Sequence, residues 1–217
     1  EEEVCKYVSC NYGVAVNSAT SALHISCLAL GVENGDWVWT SPNTFVASAN
    51  CALFCGARVD FVDVDPNTYN MSPEALKEKL ILAKKKNRLP KVVIPVHFAG
   101  LAPDMRAISD LSKEFNFKII EDASHAIGAS YMNKHVGCCE FSDITVFSFH
   151  PVKIITSGEG GMALTNDEDL AQKLRLFRCH GITTDSRLLQ DVPEGEIWNY
   201  QQVSLGFNYR LTDIQAA

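Results

Sequence analysis

The chain has 217 residues, of which 47% are hydrophobic and 21% are charged, a composition typical of a globular domain with a substantial core. Its formal net charge of -7 argues against nucleic acid as the main partner. The sequence contains no run of about 18 apolar residues, so we expect no membrane-spanning helix.

The cysteines predict a reducing compartment and no metal site. The eight cysteines form no C-x-x-C pair, and no group of cysteines and histidines has the spacing of a zinc site. Cys138 and Cys139 are adjacent, which is poor geometry for a disulfide. We therefore expect free thiols and a cytoplasmic location.

The ends of the chain indicate a piece of a longer protein. The first residue is Glu1 rather than Met, and no signal peptide opens the sequence. At the other end, Thr212 has the character of a helix cap, and the helical pattern that follows it is cut short. We expect residues 1–217 to form one domain of that longer protein.

Strands and helices alternate about six times along the sequence. Short apolar runs predict strands at residues 12–16, 37–40, 58–62, 91–96, 117–120, 144–149 and 162–165. Apolar residues three and four positions apart predict helices at residues 22–30, 45–54, 73–86, 104–115 and 170–177. This alternation predicts an α/β fold of three layers with a mainly parallel, doubly wound sheet.

Two segments depart from the alternation. Residues 129–136 are predicted to form two short strands around a turn at Asn133 and Lys134. Residues 182–204 are polar and irregular, with a turn at residues 193–195, and are predicted to be a loop without a core of its own.

Lys153 is the most unusual residue of the sequence. It lies between an apolar strand and the glycine-rich turn at residues 158–161. Burial at such a place would favour the neutral amine, which is a nucleophile and forms Schiff bases with carbonyl compounds. Taken alone, a lysine at the end of a strand fits an exposed position equally well.

Other polar or aromatic residues follow the remaining predicted strands, where ligands bind in open α/β sheets. Thr20 and Ser21 open a helix whose N–H groups and hydroxyls suit an anion, although plain helix capping explains them equally well. Asp122 follows two isoleucines, and a buried carboxylate needs a positive partner. The same predicted edge also carries Phe45, His97, His125 and Ser148.

This combination matches the needs of pyridoxal phosphate. The cofactor's aldehyde needs a lysine, its phosphate needs N–H and hydroxyl donors, its pyridine nitrogen needs a carboxylate, and its ring needs an aromatic or apolar face. A nicotinamide dinucleotide fits less well, because no G-x-G-x-x-G motif joins the first strand to the first helix.

Five motifs in order resemble the DegT/DnrJ/EryC1/StrS family of sugar aminotransferases, which are pyridoxal phosphate enzymes of fold type I. They are NSATSAL at 17–23, EDASHA at 121–126, SFHPVK at 148–153, GEGG at 158–161 and GFNYRLTD at 206–213. The resemblance covers essentially the whole chain. The sequence at Trp198, Asn199 and Tyr200 resembles that of the family's pseudaminic-acid-pathway subgroup.

The resemblance implies three catalytic residues. Lys153 matches the lysine that holds the cofactor and carries protons, Asp122 matches the partner of the pyridine nitrogen, and His125 matches a histidine near the ring hydroxyl.

The resemblance also implies five further cofactor-binding residues. Thr20, Ser21 and Ser148 match phosphate ligands, Phe45 matches an aromatic residue that stacks on the ring, and Asn208 matches an asparagine that reaches the phosphate of the neighbouring subunit in a homodimer.

The resemblance further implies an activity. It is transfer of an amino group from L-glutamate to a UDP-linked 4-keto-6-deoxy sugar, in the synthesis of surface polysaccharides or glycans. Residues 1–217 would be the cofactor-binding large domain, without the N-terminal arm and the small C-terminal domain. Two alternatives stay open: a pyridoxal phosphate-dependent sugar dehydratase, in which a histidine replaces the lysine, and a catalytically idle regulatory homologue.

Overall fold

The computed structural model describes residues 1–189 and 199–217. Its helices are α1 (Glu2–Val8), α2 (Ala19–Ala29), α3 (Ala47–Phe54), α4 (Pro73–Lys85), α5 (Met105–Phe115), α6 (Glu168–Arg178) and α7 (Asp213–Ala216). Its strands are β1 (Tyr12–Val16), β2 (Trp37–Thr40), β3 (Arg58–Phe61), β4 (Val92–Ile94), β5 (Lys118–Asp122), β6 (Ser130–Tyr131), β7 (Lys134–His135), β8 (Ile144–Ser148), β9 (Gly161–Thr165), β10 (Ile182–Thr183) and β11 (Gln201–Gln202).

A seven-stranded sheet in the order β1-β9-β8-β5-β4-β2-β3 forms the middle layer. Strands β3, β2, β4, β5 and β8 pair in parallel, and β9 pairs antiparallel with both β8 and β1. Strand β9 therefore runs against the other six. The predicted α/β class with a mainly parallel sheet is confirmed.

Helices cover both faces of this sheet, as the prediction of three layers requires. On one face, α2, α3 and α6 bury a cluster that includes Leu23, Cys51 and Leu174. On the other face, α4 and α5 bury a cluster that includes Leu76 and Ile108. Because side chains alternate along a strand, apolar runs such as β5 serve both clusters at once.

Polar caps start several of the helices. Ser72 accepts a hydrogen bond from the Ala75 N–H and precedes Pro73 at the start of α4. Asp167 caps α6 in the same way, and Thr212 forms a capping box with Gln215 at α7. Within the described residues, no helix is long and apolar enough to cross a lipid bilayer.

Part of the prediction for residues 182–204 is wrong. Strands β10 and β11 pair antiparallel there, with Ile182 opposite Gln202. The polar sequence has no strand periodicity, so it did not predict this pairing. The segment packs against the end of α6, where the His180 N–H donates to the Phe207 carbonyl over 2.9 Å. The turn predicted at residues 193–195 lies outside the described residues, as does Trp198.

Candidate active site

A cavity of about 380 Å³ opens at the carboxyl ends of the parallel strands. It lies between the first turn of α2, the segment before α3, and the ends of β4, β5 and β8. The lining residues are Ser18, Ala19, Thr20, Leu23, Thr44, Phe45, Ala47, Val96, His97, Asp122, Ser124, His125, Ser148, His150, Val152, Lys153, Glu159 and Gly160. This position is the one at which open α/β sheets bind ligands.

Asp122 is the buried carboxylate of the cavity, with 4% of its surface exposed. Its Oδ2 accepts a hydrogen bond from the Ser48 hydroxyl over 2.5 Å. Its Oδ1 accepts hydrogen bonds from the Ser124 hydroxyl over 2.6 Å and from the Ser124 N–H over 3.2 Å. Three neutral donors hold the carboxylate in place, and no ion pair within the described residues neutralises its charge.

The N-terminus of α2 forms the opposite wall. Ser18 is the N-cap, and its hydroxyl accepts a hydrogen bond from the Ser21 N–H over 3.1 Å. Thr20 lines the cavity, and its hydroxyl makes no hydrogen bond to another described residue. Free N–H groups and the helix dipole make this wall a site for an anion.

Gly161 allows this wall to approach the sheet closely. A Cβ atom at Gly161 would lie 2.5 Å from the Ala19 nitrogen and 2.6 Å from the Ser18 carbonyl carbon. Gly161 pairs with Val16 at the end of β1 and with Ser148 at the end of β8. The glycine therefore brings Ser148 and the first turn of α2 to the same side of the cavity.

Lys153 lies in a tight turn just beyond β8. Its N–H donates to the His150 carbonyl over 2.9 Å, and the Phe149 N–H donates to the Gly160 carbonyl over 2.9 Å. The side chain is half-buried and lines the cavity. No hydrogen bond or ion pair to another described residue engages its amine, so the amine is available to a ligand.

His125 stands at the cavity wall, and its pKa is lowered from the ordinary value of 6.5. Partial desolvation is the larger cause, and the nearby ammonium group of Lys153 adds to it. The charge of Asp122 acts in the opposite direction. The neutral imidazole is therefore favoured beside Lys153.

The cavity brings together six of the eight residues predicted as site residues: Thr20, Phe45, Asp122, His125, Ser148 and Lys153. Ser21 is buried behind the wall, where its hydroxyl donates to the Asn17 side chain over 2.6 Å. Asn208 is exposed, pairs with Cys179 in an isolated bridge and does not line the cavity. The roles of all eight stay predictions.

Sequence reasoning missed Ser18, Ser48 and Ser124. Ser124 lies two residues after Asp122, a spacing at which a serine N–H and hydroxyl return to the preceding carboxylate. Ser18 precedes the predicted helix and is a typical N-cap residue. No sequence signal identifies Ser48, because its contact with Asp122 joins residues 74 positions apart.

The comparisons with known proteins place this geometry in a family. All residues from 1 to 217 match the model of the DegT/DnrJ/EryC1/StrS aminotransferase family. The chain belongs to this family. The resemblance in the five motifs is thereby confirmed over the full length of the chain.

Two relatives in the family have assigned activities. The chain is 41% identical to the UDP-4-amino-4,6-dideoxy-N-acetyl-beta-L-altrosamine transaminase of Campylobacter jejuni, over 100% of the chain and 53% of the relative. It is 40% identical to the GDP-perosamine synthase of Caulobacter vibrioides, again over 100% of the chain and 53% of the relative. The chain thus spans about half the length of these relatives.

Solved structures show the same fold. Helicobacter pylori PseC, an aminotransferase involved in the biosynthesis of pseudoaminic acid, superposes with a TM-score of 0.84 at 35% identity, over 100% of this chain and 54% of PseC. The PLP-form of Spr1654 from Streptococcus pneumoniae superposes with a TM-score of 0.82 at 28% identity, over 100% of this chain and 55% of Spr1654. The predicted α/β fold of the pyridoxal phosphate-dependent aminotransferases is confirmed.

Replacement of Ser48 tests the hydrogen bond that holds Asp122. Ser48→Ala should lower the free energy of unfolding by about 1.5–3 kcal/mol at pH 7, because it leaves a buried carboxylate oxygen without its donor. Ser26→Ala is the matched control, since Ser26 is also fully buried but its hydroxyl has no partner within the described residues. Urea unfolding measures both, and equal losses would show that the Ser48 contact is not significant.

Two variants with opposite expected effects test the electrostatics at His125. Lys153→Met should raise the pKa of His125 toward 6.5, because it removes one of the two causes that lower it. Asp122→Asn should lower this pKa further. Titration of the His125 ring protons by NMR measures both shifts, and Lys113→Met on the exposed face of α5 is the control. Shifts in the same direction would contradict this arrangement of charges.

Proposed function

We propose that residues 1–217 are the cofactor-binding large domain of a pyridoxal phosphate-dependent sugar aminotransferase. The enzyme moves an amino group from L-glutamate to a UDP-linked 4-keto-6-deoxy sugar of the pseudaminic-acid type, for surface polysaccharide or glycan synthesis. The observation that carries the proposal is one cavity that holds the free amine of Lys153, the buried carboxylate of Asp122 and the N-terminus of α2. An N-terminal arm and a small C-terminal domain belong to the rest of the protein.

The residues of the cavity fit pyridoxal phosphate. Asp122 is buried and held by neutral donors, so a protonated pyridine nitrogen would supply the positive charge that this carboxylate lacks. Thr20 and Ser148 flank the start of α2 and would bind the phosphate with its N–H groups. Phe45 lines the cavity with 72% of its surface exposed, and a stacked cofactor ring would cover that face.

Lys153 and His125 would handle the protons of the reaction. When bound, pyridoxal phosphate supplies an electron sink for the pair of electrons left when a proton is removed from carbon. The Lys153 amine takes up that proton and gives it back, since no other described side chain engages it. The depressed pKa of His125 keeps its ring neutral near pH 7, so the ring adds no charge that would compete with Asp122.

The substrate class follows from the relatives. The Campylobacter relative acts on a UDP-linked aminodideoxy sugar, and PseC serves pseudoaminic acid biosynthesis. We extend that substrate class to the protein that contains this chain. The Caulobacter relative is a GDP-perosamine synthase, so GDP-linked sugars are the natural comparison in any test.

The described surface supports a homodimer in the cytoplasm. Large apolar side chains are exposed at the mouth of the cavity: Phe45 and Val152 line it, and Val46 and Ile154 follow lining residues along the chain. A second copy would bury this surface and bring its exposed Asn208 to the phosphate side of the first copy's cavity. All eight cysteines are free, which fits a reducing compartment.

Replacement of Lys153 tests the activity. In the full-length protein, Lys153→Ala should lower turnover with glutamate and a keto sugar by about 10²–10⁴-fold or more, while Lys113→Ala should have no effect. In the wild type, borohydride reduction with bound cofactor should attach the cofactor covalently to Lys153. Peptide mass spectrometry measures which residue carries it. Wild-type turnover in Lys153→Ala would refute the proposal.

The colour of the bound cofactor separates the candidate functions. For an aminotransferase, glutamate should bleach the yellow absorbance, and a UDP-linked 4-keto-6-deoxy sugar should restore it better than a GDP-linked sugar. An absorbance that ignores glutamate but responds to the keto sugar would identify a dehydratase. A full-length protein that stays colourless with added cofactor would identify an idle homologue.

Mixing two inactive variants tests the shared site. If Asn208 serves the neighbouring subunit, Lys153→Ala and Asn208→Ala chains that exchange subunits form mixed dimers with one intact site. The mixture should recover about a quarter of the wild-type activity, because half of randomly paired dimers are mixed. Measurement at limiting cofactor, where loss of a phosphate ligand has its greatest effect, gives the sharpest comparison. Activity no greater than the sum of the separate variants would contradict a shared site.

A further inference from the structure

Two adjacent carboxylates, those of Glu121 and Asp122, lie on opposite faces of β5. Ile120 packs in the cluster under α2, α3 and α6, whereas Ile119 packs in the cluster under α4 and α5. Because side chains alternate along a strand, Asp122 shares the face of Ile120 and Glu121 shares the face of Ile119. Glu121 therefore lies directly behind Asp122, on the side of the sheet away from Ser48.

Glu121 is engaged from three sides. Its Oε2 lies 2.8 Å from Nε2 of His97, and both side chains are buried, with 7% and 0% of their surfaces exposed. Its Oε1 accepts hydrogen bonds from the hydroxyls of Ser142 and, over 3.1 Å, Thr145. Burial acts to raise the pKa of Glu121, but His97 and the two hydroxyls outweigh it and the pKa is lowered. The carboxylate is therefore ionised in the core.

The segment after β4, which contains His97, is bonded to the backbone of Asp122. The His97 N–H donates to the Asp122 carbonyl over 3.0 Å, and the Asp122 N–H donates to the Pro95 carbonyl over 2.9 Å. In the pairing of β5 with β8, Glu121 stands opposite Thr145. The side chain of Glu121 thus links the segment after β4 to β8, across the strand end that carries Asp122.

We propose that His97 and Glu121 are positioning residues that hold the Asp122 carboxylate at the place where the cofactor's pyridine nitrogen binds. The inference rests on the proposed function and deepens it. A buried charge contributes little stability compared with apolar residues of the same volume. A carboxylate that links the segment after β4 to the start of β8 instead defines the geometry of the neighbouring Asp122, and small displacements there weaken electrostatic contacts.

A set of full-length variants separates positioning from stability. Glu121→Gln keeps the volume of the side chain but removes the charge that His97 faces. Ile119→Val is the matched control, since Ile119 lies two residues earlier on the same face of β5 and is 1% exposed. Asp122→Asn is the reference for a lost carboxylate. The measurements are the urea midpoint without cofactor, the dissociation constant of pyridoxal phosphate, and the 15N chemical shift of its labelled ring nitrogen when bound.

Glu121→Gln should weaken cofactor binding about tenfold and move the 15N shift part of the way toward that of Asp122→Asn. Ile119→Val should lower the urea midpoint and leave both cofactor measurements at wild-type values. The double variant Glu121→Gln, His97→Gln should bind the cofactor no more weakly than Glu121→Gln alone, because the two residues act as a unit. If Glu121→Gln fails to fold, Ser142→Ala, which keeps the contact of Glu121 with His97, should show a smaller effect in the same direction.

A Glu121→Gln protein with the wild-type dissociation constant and 15N shift would overturn the inference. So would variants in which cofactor affinity falls only in proportion to the urea midpoint, with Ile119→Val behaving like Glu121→Gln. Wild-type protein that binds no pyridoxal phosphate would overturn the proposed function, and this inference with it. These outcomes are distinct, because the first two occur with a wild type that binds the cofactor.

Discussion

A buried carboxylate that no cation among the described residues neutralises is the constraint on which the site depends. Asp122 has three hydrogen bonds from Ser48 and Ser124, which satisfy its oxygens but leave its charge in the core. Such a group is costly unless a positive partner arrives. The rest of the cavity provides room for that partner, an amine on one side and a helix N-terminus on the other.

The antiparallel strand β9 positions the N-terminus of α2, which forms one wall of the cavity. A chain that continued with parallel strands alone would place a helix between β8 and the next strand. Here a glycine-rich turn returns the chain directly, and β9 runs between β8 and β1. Gly161 starts this strand without a side chain, so the first turn of α2 can pack against it. The polar groups of Ser148 and α2 therefore converge on one region although they are more than a hundred residues apart.

The two clusters on either side of the sheet explain why this geometry can persist. Strand β5 is buried on both faces, and both of its carboxylates are buried. Asp122 is held from one side by α3, and Glu121 is held from the other by His97, Ser142 and Thr145. Because protein interiors are close-packed, this arrangement transmits displacements instead of absorbing them.

Local patterns in the sequence were sufficient for the class of fold and for most of the site. Short apolar runs predict the strands, and apolar residues three and four positions apart predict the helices. Residues that follow several of the strands line the cavity, as with Asp122, Ser148 and Lys153. These local patterns could not predict contacts between segments that are distant along the chain. The contact of Ser48 with Asp122, the docking of β10 and β11, and the turning of Ser21 away from the cavity depend on which segments meet in space. A sequence pattern records the neighbours of a residue along the chain, whereas these contacts are decided by packing between distant segments.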